Sequence, residues 1–151
     1  MNKIKIFFTV PGAPVAQGRA RFTTKNGYAG AYDPEKSRDY KNYIRLAAAK
    51  EMAGRPPLEG ALCLNVAILR PIPKSFSKKK VELAVRGAIS PVTRPDVSNY
   101  IKLIEDACNG IIWQDDSQIT FLICGKYYSH QPRVEIMVSN LDGTEREAGR
   151  E

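Results

Sequence analysis

The chain has 151 residues, the size of one domain whose core needs no disulfide or structural metal, and 43% hydrophobic against 26% charged residues argues against intrinsic disorder. Twenty-three Lys/Arg against 16 Asp/Glu give a net charge of +7, which favours a polyanionic partner. No apolar run nears the roughly 18–20 residues of a membrane span, since the opening segment carries Lys3 and Lys5 and stops at Pro11-Gly12, so no membrane partner and a cytoplasmic location are expected.

The charge is uneven. Residues 1–50 carry net +7, residues 51–100 net +4 and residues 101–151 net −4. A basic two-thirds can track phosphates while an acidic last third supplies carboxylates for metal or acid/base chemistry; a merely solubilising basic surface fits the charge equally well. Cys63, Cys108 and Cys124 are odd in number and show no CxxC spacing, so they read as reduced core residues and not as a zinc site.

In chain order, Ile4, Ile6 and Phe8 alternate with Lys3, Lys5 and Phe7, predicting a strand over residues 3–10. Residues 13–33 mix Pro and Gly with Arg19, Arg21, Phe22, Lys25, Tyr28 and Tyr32. That is the composition of a mobile arm gripping a nucleic-acid backbone, or of an ordinary surface loop. Asp33 as N-cap and Pro34 as first helical residue open a helix to about residue 52. Leu62, Leu64, Val66 and Ile68 predict a strand over 61–70, and Ser77 followed by Lys78, Lys79 and Lys80 a short basic helix over 77–86.

The richest stretch is Arg94-Pro95-Asp96 through Asn109-Gly110. Asp96 fits an N-cap and Asn109-Gly110 a stop, so residues 96–108 read as a helix that packs Val97, Tyr100, Ile101, Ile104 and Cys108 on a sheet. Asn99, Lys102, Asp106 and Asn109 form a polar stripe on another face. Residues 111–113 read as a short strand, 118–128 and 133–138 as longer ones, with Trp113 in the core and His130 in a surface turn. The turn Gln114-Asp115-Asp116-Ser117 can fold back so that Asp115 or Asp116 converges with Asp96. Convergent carboxylates repel unless a divalent cation lies between them, and magnesium, with manganese as the substitute, suits such oxygen ligands. An ion there would activate water against a phosphodiester while Lys102 neutralises developing charge. No P-loop, GxSxG, HExxH or GxGxxG occurs, so no nucleotide cofactor is expected.

Residues 94–118 resemble the RusA family of Holliday junction resolvases, small endodeoxyribonucleases of phages and prophages. The family signature is met by Arg94, Pro95, Asp96, Asn99, Lys102, Asp106, Asn109, Gly110, Asp115, Asp116 and Gln118. A weaker similarity covers residues 1–45. The resemblance implies Asp96 and Asp116 as metal-binding catalytic carboxylates, Lys102 as the essential lysine, and Asp115 as a further ligand or support, with Ser98, Asn99 and Asp106 in supporting places. Arg19, Arg21, Lys25, Lys78, Lys79, Lys80 and Arg94 supply the cationic surface for branched DNA. It also implies a homodimer, because paired nicks in opposing strands need two symmetry-related sites.

One position departs from the pattern: Ser98 stands where the family has its second carboxylate, so a junction-binding protein with weak or lost cleavage is the alternative to a magnesium-dependent resolvase. The expected architecture is a single α+β domain over residues 1–138, a mixed sheet packed by two main helices, with a flexible tail over 139–151.

Overall fold

A computed structural model describes residues 3–18, 21–23, 30–32 and 34–141, with only the backbone of 21–23 and 30–32. The strands are β1 (Lys5–Pro11), β2 (Arg21–Thr23), β3 (Gly30–Tyr32), β4 (Leu62–Pro71), β5 (Ile119–Ser129) and β6 (Arg133–Asn140). The helices are α1 (Glu35–Met52), α2 (Lys78–Val85) and α3 (Val97–Cys108). The fold is α+β, as expected.

Four strands form one mixed sheet in the order β1-β6-β4-β5. β6 is antiparallel to both β1 and β4, while β4 and β5 are parallel. A parallel pair cannot be joined by a tight turn, and here the connection carries α2 and α3. Alternation along the strands buries Ile6, Phe8 and Val10 of β1, Leu62, Leu64, Val66 and Ile68 of β4, and Val134, Ile136 and Val138 of β6. These face the helix layer, where Tyr40, Ile44 and Ala48 of α1 and Leu103, Ile104 and Ala107 of α3 close the core. Each large side chain buried there contributes about 1.5–3 kcal/mol.

Several expectations need correction. Residues 111–113 are a turn and not a strand: Ile111 N–H and Ile112 N–H both donate to the Cys108 carbonyl, and Trp113 makes only isolated bridges to Leu58 and Asn109. Short apolar runs look alike whether they extend or coil against a core, and burial of Ile112 and Trp113 is all that their pattern encodes. The segment expected to be an arm contains a two-stranded ribbon, β2 against β3. Val97 was expected on the packing face of α3 but is 38% exposed, because it lies in the first turn, outside the sheet's cover. Pro34 occupies the N-cap position of α1, one place outside its expected site, and Asp33 lies outside the described residues. The last strand runs to Asn140, past the expected domain end, and Leu141 N–H bonds the Ala61 carbonyl. Residues 142–151 of the expected tail lie outside the described residues. No helix among the described residues is long and apolar enough to cross a membrane.

Candidate active site

Asp96 sits at the N-cap position of α3, yet its carboxylate makes no cap bond and is exposed. What holds this end of the helix is a pair of cations acting on backbone oxygens. Arg70, at the end of β4, donates to the Thr93 and Arg94 carbonyls at 3.0 and 3.2 Å. Lys126 of β5 donates to the Thr93 and Pro95 carbonyls at 3.0 and 3.1 Å. Strand register places Ile68 beside Lys126, so both side chains reach the same loop. The Gln17 N–H, 3.0 Å from the Asn99 carbonyl, docks the incoming chain on the same turn. A groove of about 540 Å³, lined by residues that include Ala16, Gly18, Lys36, Arg70, Pro95 and Tyr100, opens there.

The other end of α3 is organised by side-chain amides. The buried Trp113 indole N–H donates to Asn109 Oδ1 at 2.7 Å, which turns Asn109 Nδ2 toward Asp116 Oδ2 at 3.3 Å. Gly110, at φ +80°, makes the turn that starts this loop. Gln118 fixes the rest: its Oε1 accepts from the N–H groups of Gln114 and Asp115, and its Nε2 donates to the Leu58 and Gly60 carbonyls. Asp115 Oδ2 accepts from Ser117 N–H at 3.0 Å as the cap of a 3-10 turn, Asp116–Gln118, and Ser117, through its side chain first and this backbone bond second, holds the carboxyl below the usual range. Asp115 is thus engaged in the turn itself.

The expected convergence of Asp96 with Asp115 or Asp116 does not occur within one chain. Asp116 is bonded to Asn109 at the C-terminal end of α3, thirteen positions beyond Asp96, and at 1.5 Å per residue the two ends are about 20 Å apart. The acidic turn folds back on the nearer end of the helix, and α3 is too long for it to reach the other. Among the described residues, no group of three or more His, Cys, Asp and Glu side chains is placed to hold a metal ion. Asp96 and Asp116 of a single chain therefore do not fit a shared cation. Nor do the thiols offer a site: burial pushes Cys108 up to about 12 and Cys124 up to about 11, so both stay protonated at neutral pH.

Between the ends, the polar stripe divides into two flanks. Asp106 turns toward α1, where Lys41 Nζ is 3.9 Å from its Oδ2. Ser98, Lys102, Glu105 and Asn109, at steps of four, three and four, share the neighbouring stripe, and Ser98 and Lys102 are exposed. Glu105 was not singled out by the sequence pattern. Its carboxyl is raised above the ordinary glutamate value by burial first and by Asp116 and Asp106 second, which makes it a neighbour of Asp116. Arg70 and Lys126 were missed as well, since only strand register brings them to the 93–95 loop. Gln118 was visible in the signature, although its backbone bonds were not.

Lys78 and Lys79 are exposed in the first turn of α2, and Lys80 lies 4.2 Å from the centre of the Phe76 ring. Arg94 is exposed beside Asp96. Arg19 and Lys25 lie outside the described residues, and of Arg21 only the backbone in β2 is described. Trp113 is in the core and His130 on the surface, as expected.

The model of the family described as endodeoxyribonuclease RusA matches residues 11–139. The chain is also 46% identical over 140 residues to the uncharacterized protein YqaN of Bacillus subtilis strain 168, an alignment covering 90% of this chain and 96% of that protein.

Proposed function

Since the chain belongs to the RusA family of endodeoxyribonucleases, we propose that it is a magnesium-dependent endonuclease that resolves four-way DNA junctions as a homodimer, with Asp96, Asp116 and Lys102 as its catalytic side chains. Divalent-metal dependence is general in the family. The observation that carries it is the state of Asp96, a carboxylate at a helix N-cap that leaves the cap bond unmade and stands exposed beside a groove with Arg70 and Lys36 in its wall. A residue kept only to start a helix would bond the free N–H groups of the first turn. Asp116 supports the same reading, because a buried indole and an amide orient it. Lys102, exposed in mid-helix, offers an ammonium to a phosphate oxygen on which charge develops.

Cleavage of a synthetic four-way junction in magnesium buffer tests this. Asp116→Asn is expected to lower cutting by a factor on the order of a thousand or more while retaining junction binding. Undiminished cutting by that variant would reject the assignment. The companion variant Ser98→Asp restores the missing family carboxylate at an exposed position. Cutting by that variant and not by the natural chain would identify a junction-binding protein.

A further inference from the structure

The segment that leaves β1 is tied down on the first turns of two helices. Gln17 N–H donates to the Asn99 carbonyl of α3, Gly18 N–H donates to Ser37 Oγ of α1 at 2.9 Å, and Ser37 Oγ donates to the Ala16 carbonyl at 3.2 Å. Glycine is needed at position 18, because a Cβ there would stand 2.8 Å from the Pro34 ring. Between this segment, α1, the end of β4 and the first turn of α3 lies the groove of about 540 Å³ beside Asp96. That volume lies within the roughly 300–1,000 Å³ of sites that enclose one small ligand, and it is far too small for a duplex.

The walls have two characters. Val15, Pro34, Pro95 and Tyr100 are apolar, whereas Lys36 and Arg70 are cationic. Behind Tyr100, the Tyr40 hydroxyl is buried and meets no partner among the described residues. Tyr40 is 8% exposed and stands one turn after Lys36; a long helical side chain leans toward the helix N-terminus, here toward the groove. Its titration is raised by burial first and by Tyr100 and Tyr43 next, which sets Tyr100 beside it. A buried hydroxyl without a partner lowers stability, and a ligand that brings a polar atom removes that cost. An apolar slot edged by cations matches one nucleotide, its base on the ring and prolines and its phosphate on the charges.

We propose that this groove captures a single unstacked nucleotide of the bound DNA, with its base against Val15, Pro34 and Tyr100 and its phosphate on Lys36 and Arg70, and that this capture selects a branch point over a duplex. The proposal rests on the nuclease reading above and adds the step that reads the substrate's shape. A base inside a duplex is held by its pair and by two stacked neighbours. A base at a branch point leaves the stack at lower cost, so the branched substrate alone fills the groove cheaply.

Binding measured in EDTA, where no phosphodiester is cut, tests the capture apart from the chemistry. The natural chain is titrated with a synthetic four-way junction of fixed branch point, with a duplex, and with junctions carrying one abasic nucleotide at each position flanking the branch. Loss of the base at the captured position is expected to weaken binding about tenfold, the stacking worth of one base. Ala13→Trp fills the groove from an exposed place on its rim. That variant binds intact and abasic junctions alike, at the weaker affinity, and binds duplex as the natural chain does. Tyr40→Phe removes only the unpartnered hydroxyl, so it melts no lower than the natural chain while losing about threefold in junction affinity. Equal affinity for junction and duplex, indifference to every abasic position, an Ala13→Trp chain that still distinguishes abasic junctions, or a Tyr40→Phe chain that melts lower with junction affinity unchanged would each overturn the capture. A chain that cuts junctions but ignores every abasic position leaves the nuclease reading standing without the capture. One that meets all the binding expectations yet cuts no junction in magnesium rejects the nuclease reading and leaves the capture standing.

Discussion

At the first turn of α3 the backbone is held by cations, Arg70 and Lys126 on the carbonyls of residues 93–95, whereas at the last turn a side-chain amide, Asn109, is fixed between the Trp113 indole and Asp116. The first arrangement positions a carboxylate without touching it, and leaves Asp96 in water beside further positive charge. The second orients a carboxylate directly and gathers acidic neighbours, Glu105 among them, around it. One end thus gathers positive charge around an exposed carboxylate, and the other gathers carboxylates around an amide.

Perturbing the two ends should have unequal costs. Trp113→Ala removes a fully buried ring and orphans the Asn109 oxygen, so a loss of about 3–5 kcal/mol is expected in urea unfolding. Lys126→Met, at the partly exposed opposite end, gives up two charged hydrogen bonds whose carbonyls water can reach, and should cost less, about 1.5–2 kcal/mol in the same measurement. Its cleavage rate should fall while junction affinity holds. Equal stability losses would show that the two ends are not held in the different ways described.

A smaller effect separates the ends by pH. Glu105 has a raised carboxyl, so its protonated form is favoured in the folded chain and its contribution is most favourable below the ordinary value of 4.5, then is lost as pH rises through the shifted value. Asp116 and Asp106 face it, and Lys41 is drawn to Asp106. In metal-free buffer at pH 7, Glu105→Gln should therefore raise the melting temperature by on the order of one or two degrees. The gain should vanish as the pH falls below 4.5. A gain independent of pH would remove both the burial of the Glu105 charge and its repulsion by Asp116 and Asp106 from the account.

The sequence made the helix bearing Asp96 and Lys102 legible because its apolar positions recur at helical steps and Asn109-Gly110 ends it. It also exposed the acidic turn, since Asp and Ser at a strand entrance carry their own local geometry. What it could not carry was distance. Convergence of Asp96 and Asp116 is a statement about which end of a helix a later loop returns to, and spacing along the chain is silent on that. Arg70 and Lys126 were hidden for a related reason: they meet only through the parallel register of β4 and β5, fifty-six residues apart in sequence. The run at 111–113 misled because apolar character reports burial and not conformation.

A crystal grown with manganese, with the ion located by its anomalous scattering, is the most direct test of the metal-dependent nuclease reading. The account predicts a peak coordinated by Asp116, the carboxylate that Asn109 orients. A peak away from both Asp116 and Asp96, or no peak at saturating manganese, would contradict it.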